Sequence, residues 1–107
     1  MTEKYNKLVR DGIPSIIRQQ GHEPRTRVLD DGEYFEALNC KLGEELEEYR
    51  ENFDLGELAD MVEVIHAIVK CKGMSLEEFE EIRMKKYNQR GGFAEKIYLV
   101  EVERQLI

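Results

Sequence analysis

Apolar positions recur at helical spacing through most of this chain. Between Asp30 and Asn52 they fall at Phe35, Leu38, Leu42, Leu46 and Tyr49, a stripe along one side of a helix. From about Leu55 to Lys72 the pattern widens. Met61, Val62, Val64, Ile65, Ala67, Ile68 and Val69 make that segment apolar on most sides, which predicts the central and most buried helix. Local signals set the ends. Asp30 or Asp31 can cap the first of these two helices, Asn52-Phe53-Asp54 makes the turn between them, and Gly73 stops the second. Ser75-Leu76-Glu77-Glu78 reads as a capping box opening a further helix that Gly91-Gly92 ends. Upstream, Pro14 suits a helix first turn, with Ile13, Ile16 and Ile17 on its apolar side and Gly21 as its stop. Two stretches, 25–29 and 97–102, are β-compatible and are expected to pair as a small β element. The expected fold is all-α or mainly α, one domain over 1–107. Its centre is a helical hairpin, completed by the fourth helix and a partner subunit.

Composition sharpens this in three ways. A chain of 107 residues buries a thin core unless subunits share it, so a homo-oligomer, dimer or tetramer, is expected. A net charge of −7 argues against nucleic acid or an anionic membrane surface as partner, because both attract basic patches. It leaves room for a nucleotide substrate, since a bound metal reverses the local sign of a site. Cys40 and Cys71 lack metal-ligand spacing and are expected to be buried free thiols. The charged opening does not read as a signal peptide and no apolar run is long enough to span a bilayer, so a cytoplasmic location is expected.

The chemistry concentrates in acids. Glu44-Glu45-Leu46-Glu47-Glu48 lies on one helix of the hairpin and Glu57-Leu58-Ala59-Asp60 on the next, each with acids three residues apart on one face. At about 100° per residue, Glu45 falls near the edge of the apolar stripe and Glu48 beside it, while Glu44 and Glu47 point further away. Glu45 and Glu48 are therefore aimed inward, with Glu44 as a supporting ligand. Such acidic runs usually form a solvated helix face. Glu57 has a competing role too, because Asp54 three residues before it makes a capping-box-like pair. Asp60 shares a side with Val64 and Ala67 on the helix that reads as buried, where a carboxylate is costly unless paired or metal-bound. Converging carboxylates repel one another when empty and suit Mg²⁺, a hard cation that prefers oxygen ligands; Mn²⁺ is an acceptable substitute.

The ordered set Glu44-Glu45-x-x-Glu48 and Glu57-x-x-Asp60 resembles the EExxE…ExxD motif of the all-α nucleoside triphosphate pyrophosphohydrolases. The opening Tyr5-Asn6-Lys7-Leu8-Val9-Arg10-Asp11-Gly12-Ile13-Pro14 and the late Arg90-Gly91-Gly92-Phe93 resemble the small MazG-like, phosphoribosyl-ATP pyrophosphohydrolase-like subgroup. The segment from Tyr49 to Gly56 is shorter than is usual there, which keeps the acids close but removes room for substrate contacts. The resemblance implies hydrolysis between the α and β phosphates of a nucleotide, giving a monophosphate and pyrophosphate. On that reading Glu45, Glu48, Glu57 and Asp60 hold the metal, and Glu44 or Glu48 orients the attacking water. Lys7 and Arg10 in the opening motif, and Lys86 and Arg90 four residues apart on the last helix, are the candidate phosphate-binding cations, each with ordinary surface charge as its competing reading. His66 reads as a packed core residue and Gly91-Gly92 as a helix end rather than a phosphate cradle. Two rivals stand beside the house-cleaning reading: phosphoribosyl-ATP hydrolysis in histidine biosynthesis, and a non-enzymatic acidic helical protein that binds basic partners.

Overall fold

A computed structural model describes residues 1–104. Those residues form an all-α fold of four helices, α1 (Ile13–Gln19), α2 (Asp31–Asn52), α3 (Leu55–Cys71) and α4 (Leu76–Arg90). Contacts divide the chain into two compact units, Met1–Ser75 and a second beginning at Leu76.

In the first unit, α2 and α3 pack against each other as an antiparallel hairpin. Each helix starts where its cap chemistry directs. Asp30 accepts from the Glu33 amide at 2.8 Å, and the Glu33 side chain reaches back to the Asp30 amide, a complete capping box. Arg27 braces Glu33 from outside at 3.1 Å, which with that amide bond holds its carboxyl below the usual range. The turn is built from side-chain oxygens: Asn52 Oδ1 accepts from the Asp54 amide at 2.9 Å, and Asp54 Oδ1 accepts from the Gly56 amide at 3.0 Å. Phe53 carries the reversal in a left-handed conformation (φ 56°), its ring edge-on to Tyr49 at 5.7 Å. At the other end of α3, the Met74 amide donates to Val69 O across Gly73 (φ 81°), a Schellman-type closure.

The stripe that α2 turns inward is rotated from the expected one. Leu38 and Glu45 are buried, and Tyr34, Ala37, Lys41, Leu42 and Tyr49 are partly covered, whereas Phe35 and Leu46 are exposed. An ion pair has taken the place of two apolar residues, because the facing surface of α3 presents carboxylates there. On α3, Val64 and Val69 are buried and Val62 is exposed, so the apolar helix is covered on one side only. Cys40 is exposed and Cys71 half-buried; both are free, and the expected burial does not hold for Cys40.

In the second unit α4 runs to Arg90 and is closed by Gly91 (φ 80°), whose amide donates to Tyr87 O at 2.7 Å. The Gly91-Gly92 pair is thus a helix end, as its sequence reads. The expected β element is absent: neither 25–29 nor 97–102 forms a strand. Val28, Ile97, Tyr98, Leu99 and Val100 are largely exposed, so no apolar face is available to anchor a two-stranded ribbon, which is marginal by itself in water.

Candidate metal centre

The hairpin brings three of the four predicted ligands together. One oxygen each from Glu45, Glu57 and Asp60 lies within 4.8 Å of the other two. A shell of oxygens at about 2.1 Å from one Mg²⁺ spans at most about 4.2 Å, so the cluster is near that spacing before any adjustment. The short turn produces this register. Asp54 caps α3 through the Gly56 amide, and its own amide is taken by Asn52, so no capping role is left for the Glu57 side chain. Glu57 turns to the cluster instead.

Two oxygens in the cluster are buried without a hydrogen-bond partner: Glu45 Oε2 and Glu57 Oε2. Orphaned buried acceptors are rare in folded proteins and call for a reason. Glu45 is only 5% exposed, the one buried charged residue among the described ones. Its other oxygen, Oε1, lies 3.4 Å from Lys41 Nζ, which also approaches Glu44 Oε2 at 3.6 Å. Lys41 therefore compensates the buried charge through Oε1, while Oε2 is left without a partner. Glu57 is pushed up to about 7, first by loss of solvent, then by the charge of Glu48 and a hydrogen bond with it, and then by Asp60 and Glu45. An acid cluster that retains a proton near neutrality has the donor set and the electrostatic deficit that a hard divalent cation relieves. The three carboxylates could hold a hard divalent cation.

Each remaining candidate has a distinct place. Glu48 is exposed and sits against Glu57 rather than inside the three-oxygen group. Glu44 is exposed and belongs to the Lys41 pair. Asp60 is less buried than its helix suggested: its side chain is 39% exposed, and Oδ1 accepts from Arg10 Nη2 at 2.6 Å. The desolvation argument made for Asp60 thus applies to Glu45 and Glu57. Arg10 stands at the cluster, while the ammonium of Lys7 lies over the Tyr5 ring at 5.7 Å. Lys86 and Arg90 are exposed on α4 in the second unit. His66 is half-buried and lines a shallow concavity with Tyr34, Glu63, Ala67, Lys70 and Cys71. Lys41 is the residue that pattern reading passed over. Its signal was present as lysine three and four residues before Glu44 and Glu45 on one helix face.

No protein-family model and no solved structure matches the chain. A stretch of 44 residues is 52% identical to an uncharacterized protein of Mycolicibacterium smegmatis, covering 41% of this chain and 45% of that protein. The shared stretch is less than half of either protein. No helix is long and apolar enough to cross a membrane among the described residues.

Proposed function

We propose that the protein is a Mg²⁺-dependent nucleotide pyrophosphohydrolase of the MazG-like kind, cleaving the α–β phosphoanhydride of a nucleoside triphosphate to a monophosphate and pyrophosphate. The observation that carries the reading is the convergence of Glu45, Glu57 and Asp60 from two helices, with buried oxygens of Glu45 and Glu57 left unpartnered. The EExxE…ExxD resemblance supplies the reaction; the cluster supplies a place for it. Mg²⁺, or Mn²⁺ in its stead, would contribute neutralisation of phosphate charge and acidification of water.

The chain's own residues divide the remaining work. Glu45, Glu57 and Asp60 would hold the cation, and Lys41 offsets part of the buried Glu45 charge through Oε1. Glu48, exposed beside Glu57, or Glu44 would take the proton of the attacking water. Arg10, paired with Asp60 of the cluster, and Lys7 of the same opening motif are the cations of this unit that would meet phosphate oxygens. The bundle is completed by a second copy of the chain.

The test is pyrophosphate release from canonical and modified nucleoside triphosphates, with Mg²⁺ and with chelator, in ¹⁸O-labelled water. The expected result is Mg²⁺-dependent release of unlabelled pyrophosphate, with label in the monophosphate. Glu48→Gln should lower turnover by about 100-fold or more while the helical signal is retained. Label in orthophosphate would make the protein an ordinary phosphatase, and no metal-dependent turnover of any nucleotide would leave an acidic binding protein.

A further inference from the structure

The cluster is not without cations: besides Lys41 it holds one that comes from far away in the chain. Arg10 reaches Asp60 across 50 residues of sequence, from the irregular segment before α1. Its backbone is fixed, because Arg10 O accepts from the Ile13 amide at 3.0 Å at the start of α1. Its guanidinium is not fixed to the same degree. The Arg10 side chain is 56% exposed, and its partner in the cluster is Asp60 Oδ1. An ion pair this exposed is worth at most about fivefold in an equilibrium, so it can form and break readily. Lys41, by contrast, is 17% exposed and belongs to the same helix as the glutamates it serves, so it stays where it is.

We infer that Arg10 is an exchangeable counter-ion of the carboxylate cluster, which occupies Asp60 when no divalent cation is held and turns to a phosphate oxygen of the ligand when one is. The inference rests on the metal reading above and adds a coupling to it. Asp60 cannot serve the guanidinium and a divalent cation equally well, so filling the cluster frees Arg10. The freed side chain starts beside Asp60, one of the three carboxylates of the cluster. The planar guanidinium fork suits phosphate oxygens in two-point contact, which a lysine at this position does not reproduce. Metal and phosphate binding then support each other through one residue.

Calorimetric titration of the full chain separates this from a structural ion pair and from a simple phosphate contact. Two ligands are used: Mn²⁺ alone, and pyrophosphate added to protein saturated with Mg²⁺. Arg10→Gln should bind Mn²⁺ alone about threefold more tightly, since its competitor is gone. The same variant should bind pyrophosphate about tenfold or more weakly, for want of a charge-assisted contact. Arg10→Lys keeps the charge and loses the fork, so its Mn²⁺ affinity should match the unaltered protein while pyrophosphate binding still falls. Lys4→Gln removes an exposed charge of the same N-terminal segment and should change neither by more than about twofold. Circular dichroism confirms that each variant is folded, and Arg10→Lys carries the test if Arg10→Gln is not. Weaker or unchanged Mn²⁺ binding in Arg10→Gln, or unchanged pyrophosphate binding in both Arg10 variants, overturns this inference alone. Absence of Mn²⁺ binding by the unaltered protein overturns the metal reading and the inference with it.

Discussion

Glu57 is a half-buried carboxyl among three other carboxylates, and it is pushed up to about 7 from the ordinary glutamate value of 4.5, by desolvation first and by Glu48 next. The sign of the linkage follows directly. Between those two values the folded chain binds this proton more tightly than the unfolded chain, so stability of the metal-free protein falls as pH rises from about 4.5 to about 7. Above that range Glu57 carries its charge and the stabilisation from its proton is gone. A divalent cation competes for the same oxygens, so its binding near pH 6.5 should release a substantial fraction of one proton, and near pH 8.5 almost none. Titration of Mg²⁺ in two buffers of different ionisation enthalpy measures that release. Glu57→Gln should flatten the pH dependence of melting and raise the metal-free melting temperature at pH 8.5. Equal proton release at both pH values would show that Glu57 does not share its oxygens with the cation.

The turn between α2 and α3 places the two acid pairs in register, and it is held by few bonds. Asp54 Oδ1 takes the Gly56 amide, and replacing this cap with alanine should cost about 1 kcal/mol of stability by chemical denaturation. Because the same cap sets where α3 begins, Asp54→Ala should also weaken Mn²⁺ binding, though no atom of Asp54 belongs to the three-oxygen group. Retained affinity in a destabilised variant would mean that helix packing alone keeps the register. The helices and their ends were legible in the sequence for this same reason: Asp30, Asp54, Gly73 and Gly91 act on their immediate neighbours. The rotation of α2 was not legible. Whether Phe35 or Lys41 faces inward depends on what α3 presents across the contact, and periodicity counts Lys41 as polar wherever it lies. Glu45, Glu57 and Asp60 were readable as a group because spacing along two helices joined by a short turn constrains them. The placement of Arg10 was not, since a contact across 50 residues leaves no local trace. The segments 25–29 and 97–102 misled through composition, because β-branched and aromatic residues make strands only where a face can be buried.

At the scale of the molecule, the hairpin is short of cover. Only Leu38, Val64 and Val69 are buried among its apolar side chains, while Leu46, Phe53, Leu55, Leu58 and Val62 remain exposed. Scattered exposed leucines are ordinary on a protein surface, but Leu58 and Val62 lie four residues apart on one face of α3 and so form a continuous strip. A buried ion pair and an acid cluster occupy part of the helix contact that would otherwise be apolar, which thins the core further. A second copy of the chain burying its own strip against this one restores the missing apolar area without any added residue. Sedimentation of the unaltered protein at micromolar concentration should therefore show a dimer or tetramer. The double substitution Leu58→Lys and Val62→Lys should shift it to smaller species while the helical signal at low temperature is largely kept. Neither position belongs to the three-oxygen group, so Mn²⁺ binding serves as the control that the hairpin itself is intact. A monomeric unaltered protein would show that the hairpin is stable with its strip exposed, and the thin core would then need another source of stability. An assembly untouched by both lysines would move the interface to a different face. The site would be independent of assembly if binding survives dissociation, because all of its ligands come from one chain.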